Sequence, residues 1–159
     1  MTRQNKIIIY SGLAFTGALY FSFRSLKRTQ SFDDLLIIIN KRGGTASTNK
    51  IKTALLGQYH TDVKQSNPNK GFVMLSDSKV RQVAEKLEDA LSGGGTDESL
   101  LSSALSSLKD KVAVSQVGYY YKNAYGRTLF DDLKDDLSDS DYRAIATQRL
   151  ISIPDVRWV

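Results

Sequence analysis

The chain is predicted to be mainly α, with one N-terminal membrane-spanning helix followed by a compact five-helix domain. Three observations predict this. Residues 7–23 read IIIYSGLAFTGALYFSF, 17 positions without a charge, with Arg3 and Lys6 before them and Arg24, Lys27 and Arg28 after. From residue 77 onward, apolar residues recur every three or four positions in five successive blocks. Residues that start and stop helices separate those blocks.

The first element, residues 1–30, reads as a membrane anchor with basic flanks. A helix of 17 residues rises about 25 Å, a little less than the ~30 Å hydrocarbon core. Snorkelling Lys and Arg flanks, with Tyr10 and Tyr20 near the headgroups, offset the shortfall. A cleaved signal peptide shares the basic start, but no small-x-small cleavage site follows at Tyr20-Phe21-Ser22-Phe23-Arg24. A soluble core helix rarely lacks every charge over such a run. Ala14, Gly17 and Ala18 form a small-residue patch of the kind that packs another helix. The basic residues are too evenly split between the flanks to set an orientation. The expected location is therefore a membrane, single-pass, in a bacterial envelope or the internal membrane of a virion, with the bilayer met through residues 7–23.

Residues 31–76 are mixed, a linker with small helical segments. Ser31 can cap a helix with Asp33 and Asp34 in its first turn, although the run LLIII at 35–39 is also strand-like. Asn49 to Tyr59 places Ile51, Ala54, Leu55 and Tyr59 at helical spacing. Residues 60–71 read as a loop around Asn67-Pro68-Asn69, and GFVML at 71–75 as a short extended segment.

Residues 77–152 carry the five helices. The first starts at Asp77 or Ser78, buries Val80, Val83, Ala84, Leu87, Ala90 and Leu91, and ends at Gly93-Gly94-Gly95. Thr96 is the expected cap of the second, whose face is Leu100, Leu101, Ala104, Leu105 and Leu108. The third runs from about Asp110, presents Val114, Val117, Tyr121 and Ala124, and stops near Gly126. Thr128 with Asp131 resembles a capping box opening the fourth, which carries Leu129, Leu133 and Leu137. Ser138 to Ser140 open the fifth, with Tyr142, Ile145, Ala146 and Leu150. Pro154 blocks continuation, leaving a tail at 153–159.

The net charge of +5 arises wholly from the first 30 residues, which hold five basic and no acidic side chains. The remainder is balanced and has no basic stripe interleaved with aromatics, so no nucleic-acid partner is expected. Without cysteine there is no disulfide and no thiolate metal site. The single histidine, His60, excludes a paired-histidine metal site and lies in a polar stretch that reads as solvated.

Two segments carry a family resemblance. LEDALSGGGTDESLLSSAL at 87–105 places G-x-G-T-D-E between a helix ending in Ala and a leucine-rich helix. YYYKNAYGRTLFDDLKDDLS at 119–138 places Tyr-Gly-x-x-Leu before an acidic stretch and Leu-Ser. Together they resemble one annexin repeat over residues 78–151, of the single-repeat kind found in bacteria and their phages. The resemblance implies five helices with a glycine turn between the first two. It also implies a calcium position made of the carbonyls of Leu91, Gly93 and Gly95, with Asp136 as the closing carboxylate. The spacing from Thr96 to Asp136 is one residue longer than the family pattern, and Asp135 competes for the role. A helix–helix turn beside a solvated acidic face accounts for the same residues without a metal.

Other motifs are faint. Ser106-x-x-Lys109 matches a serine–lysine pattern common by chance on helices. GGTASTNK at 43–50 lacks the G-K-[ST] ending of a phosphate loop. Tyr119, Tyr120, Tyr121 and Tyr125 cluster on one helix, as core residues with a wet edge do. No constellation supports catalysis, and no small-molecule substrate is expected. The expected function is that of a non-enzymatic, membrane-anchored scaffold protein contacting other proteins in a virion or envelope assembly. The alternatives are a calcium-dependent phospholipid-binding module and, last, a cell-wall enzyme.

Overall fold

The computed structural model describes residues 49–93 and 95–159. Residues 49–55 form α1, and Tyr59–Ser66 forms α2. Gly57, at φ +77°, turns the chain between them, a backbone region that L side chains rarely adopt. The extended segment 71–75 then leads into α3 (Asp77–Leu91).

Four consecutive helices start on oxygen-bearing caps. Ser76 Oγ accepts the Lys79 N–H at the head of α3. The Asp97 carboxylate accepts Leu100 N–H at 2.9 Å and starts α4 (Glu98–Ser107). Asp110 accepts Ala113 N–H at 2.7 Å and starts α5 (Lys111–Tyr125). Thr128 accepts Asp131 N–H at 3.1 Å and starts α6 (Leu129–Asp136). Each satisfies a donor with no intrahelical partner, typically worth about 1 kcal/mol. Gly126, at φ +72°, ends α5 in the left-handed conformation that glycine adopts without strain. The last stretch is α7 (Asp139–Asp141), a π-helical segment Tyr142–Thr147, and α8 (Gln148–Ser152).

α5 is the axle. Every residue from Lys111 to Gly118 is buried, because α2 covers one side of it and α3 another. α3 also packs on α4 and α6, and the π-helical segment packs on α4. One core runs through all of them, from Ile51, Leu55 and Val63 through Leu87, Leu101, Leu105, Val117 and Tyr121 to Leu133, Ala146 and Leu150. The Arg149 guanidinium caps the end of α4, donating to the carbonyls of Ser106 and Leu108. The tail returns along 71–73, with Val73 N–H to Arg157 O at 2.9 Å and Val159 N–H to Gly71 O at 3.0 Å.

The expected fold class and location need correction. Among the described residues, no helix is long and apolar enough to cross a membrane. The longest helices, α3 and α5, have 15 residues each. That is fewer than the ~20 apolar residues a span needs, and α3 is studded with charge. The stretch 7–23 on which the membrane-spanning helix was placed lies outside the described residues, as does 31–48. The membrane helix is therefore removed from the fold class, and the single-pass localisation in an envelope or virion membrane is withdrawn. What stands is a mainly α fold.

Three local expectations also change. Residues 60–66, read as loop, are helical, because α2 is held by its buried Tyr59 and Val63 and not by intrinsic propensity. Thr96 does not cap α4; Asp97 does. Ala124 is exposed, because the second half of α5 emerges from the core.

Candidate functional site

The glycine turn comes first, since the sequence marked it. Leu91, the last residue of α3, is buried, while Gly93 and Gly95 are exposed. The turn is closed by Asp97 N–H donating to Ala90 O at 3.0 Å. Thr96 Oγ1 donates to the Asp136 carbonyl at 3.1 Å, so the end of α6 lies beside the turn, 40 residues away in sequence. The expected residues are thus neighbours. Calcium takes six or more hard oxygens. Among the described residues, no group of three or more acidic or histidine side chains converges to hold a metal. The Asp136 carboxylate with carbonyls of an exposed turn falls short of that number, so no chemistry is derived through calcium.

A second cluster ties α3, α5 and α6 together. The Tyr121 hydroxyl lies 2.6 Å from both Glu88 Oε2 and Asp132 Oδ2. Arg127 spans the same two carboxylates, Nε to Asp132 at 2.7 Å and Nη2 to Glu88 at 2.6 Å. Burial, followed by the hydrogen bonds to Asp132 and Glu88, pushes the Tyr121 hydroxyl far above the ordinary tyrosine range. Two carboxylates, one guanidinium and one phenol thus clamp α3, α5 and α6 together.

His60, read as solvated, is partly buried and engaged. Its backbone N–H donates to Ser115 Oγ at 3.0 Å, and its Nδ1 lies 2.9 Å from the same oxygen. One serine oxygen thus holds both the backbone and the ring of His60. Burial lowers the imidazole pKa below 6.5. Ser115 itself is fully buried, so this serine–histidine contact is closed to any substrate and serves to seat α2 on α5. Beside it lies a shallow concavity of about 350 Å³ lined by Tyr119, Lys122 and Asn123 with Gln58, Thr61 and Asp62. Lys109 Nζ donates to the Ser106 carbonyl at 3.2 Å and not to its hydroxyl, so these two form no nucleophilic pair.

The surface feature that sequence reasoning missed is the junction of 71–75 with the tail. Phe72 bridges Trp158 in antiparallel fashion, their rings edge to face with centroids 6.3 Å apart. Gln116 fixes the end of the segment, accepting Leu75 N–H at 2.9 Å. Met74 is 53% exposed and Trp158 48%, an apolar strip with the Lys70 ammonium over the Trp158 ring, 5.4 Å from its centroid. The run GFVML was legible as extended. Its partner, more than 80 residues later, left no sequence signal. Comparison of the chain with known protein families, with characterised proteins and with solved structures finds no match.

Proposed function

We propose that the chain is a non-enzymatic scaffold module, built on a single annexin-like repeat, that holds partner proteins in a larger assembly. The observation that carries this reading is the apolar strip of Phe72, Met74 and Trp158. Two large, half-exposed apolar side chains on a rigidly pinned segment are a contact surface in want of cover. Two further observations support it. The serine, tyrosine and histidine of the polar clusters are engaged in holding helices together. The annexin-like part rests on the order of helices from Asp77 onward, the glycine turn after Leu91 and the Thr128 cap after Tyr-Gly-Arg.

The test is to cross-link the native assembly and compare it with a Met74→Ser/Trp158→Ser double variant. Loss of the cross-linked neighbours, with circular dichroism and melting unchanged, is expected. Recovery of the wild type as a lone monomer, with a hydrolytic activity that survives purification, would overturn the reading.

A further inference from the structure

We infer that the strip's partner is a second copy of this chain, joined edge to edge through residues 72–74 about a twofold axis at Val73. The inference rests on the strip being a contact surface and names what covers it. Its basis is the hydrogen-bond pattern. Val73 N–H and the Gly71 carbonyl face the tail, where they pair with Arg157 and Val159. Main-chain groups alternate sides along an extended chain, so those of Phe72 and Met74 face the opposite way. Among the described residues they have no hydrogen-bond partner. Among the described residues the edge is therefore open, with two donors and two acceptors at the spacing of a β-strand, a spacing that another extended chain matches.

Three features make the matching chain this one. In the antiparallel register centred on Val73, Phe72 of one copy faces Met74 of the other, so the two exchange both hydrogen bonds and the pair repeats across the axis. The side chains brought together are a benzyl ring and a thioether, a favourable sulfur–aromatic contact. They continue the Trp158–Phe72 pair into an apolar ladder across four strands. The ends are complementary in charge as well. Lys70 precedes the segment and Asp77 follows it; in this register Lys70 of one copy faces Ser76 of the other, one residue from its Asp77. Asp77 has no ion pair among the described residues.

The chain has no cysteine, so one introduced thiol reports the contact cleanly. Val73→Cys in the full-length chain places two thiols across the axis at a closely spaced, non-hydrogen-bonded position. Mild oxidation is expected to give disulfide dimer several-fold faster than for Ser102→Cys, an exposed control on α4. Adding Lys70→Asp should cut that rate several-fold, and adding Asp77→Lys as well should restore it. A Val73→Cys rate no greater than the control overturns self-pairing. So does a rate indifferent to Lys70→Asp. Cross-linking from position 73 in the native assembly then separates the two readings. A different protein captured there removes self-pairing and keeps the contact surface. No capture of any protein removes both.

Discussion

Tyr121 shows how much one hydroxyl can hold. Its ring is fully buried, and its oxygen bridges carboxylates from α3 and α6 that Arg127 also spans. Tyr121→Phe keeps the ring and removes the donor, so about 1.5–3 kcal/mol of stability should be lost, the range for hydrogen bonds to charged groups. Urea unfolding measures it, and a loss under 0.5 kcal/mol, roughly the surface-substitution level, would show the clamp to be ornamental. Arg127→Lys should not be neutral either, because one ammonium cannot serve two carboxylates as the guanidinium fork does. His60 makes the complementary case for pH. Its folded pKa lies below the unfolded value of about 6.5, because burial disfavours the imidazolium. The unfolded chain therefore takes up the proton first as pH falls. The stabilisation is complete above pH ~6.5 and shrinks below it, until the folded pKa is passed. As the single histidine in the chain, its ring protons can be followed directly by NMR. A midpoint above 6.5 would contradict the seat described for α2.

At the scale of elements, two glycines decide how closely α1 and α5 approach. A Cβ on Gly118 would sit 2.8 Å from the Leu55 carbonyl and 3.0 Å from that of Ala54. One on Gly57 would sit 2.4 Å from the Tyr119 nitrogen. In an exposed helix, glycine to alanine gains about 1 kcal/mol from propensity. Here backbone oxygens cannot step aside as a side chain would, and overpacking costs about 1–3 kcal/mol. Gly118→Ala should therefore destabilise despite the better helix former, and protease should cut between α1 and α2 first. A rise in melting temperature would refute the close approach. Neither glycine was marked by the sequence reading, which treated α1 as running on to Tyr59. What was legible were the elements governed by their own residues. The faces of α3, α4 and α6, the Gly126 stop and the Thr128 cap all follow from local spacing. Leu101, Leu105, Val117, Tyr121, Leu129 and Leu133 were expected in the core and are buried there, with Ile145 only partly so. α2 was illegible because its sequence, YHTDVKQS, is poor helix on its own and is helical because α5 receives it. The resemblance put Asp136 near the glycine turn, and the Thr96–Asp136 hydrogen bond brings the two together, although no group of metal-holding side chains converges there among the described residues. The candidate site was illegible at Phe72 and Trp158, whose pairing is decided by packing.

Across the whole molecule, the tail joins residues 49–75 to the five-helix part. Asp155 accepts from Lys50 of α1 at 2.5 Å and from Lys111 of α5 at 2.6 Å, while Arg157 pairs with the fully buried Asp110 at 2.5 Å. Lys111 N–H also donates to the Pro154 carbonyl at 3.0 Å. Lys111 is the critical member, because its side chain is only 4% exposed and its remaining contact is the Ile153 carbonyl. Asp155→Ala strands that ammonium. Removing one partner of a buried pair costs about 3–5 kcal/mol, and the lower end applies because Asp155 is itself 37% exposed. Protonation should act like the mutation, in a defined window. Burial is the largest single influence on Asp155 and raises its pKa, but the hydrogen bonds from Lys111 and Lys50 together outweigh it and hold the carboxyl below its ordinary value. The unfolded chain is then protonated first on acidification, so the stabilisation is whole above pH ~4 and falls away as the pH drops through the lower folded value. Asp155→Asn keeps the shape and removes the titration. It should be less stable than wild type at neutral pH, and the difference should narrow as the pH falls below ~4. Thermal unfolding across that range checks the sign. A gap that stays constant to pH 2 would mean the carboxylate's charge is not what ties the tail, and through it α1, to the axle of the fold.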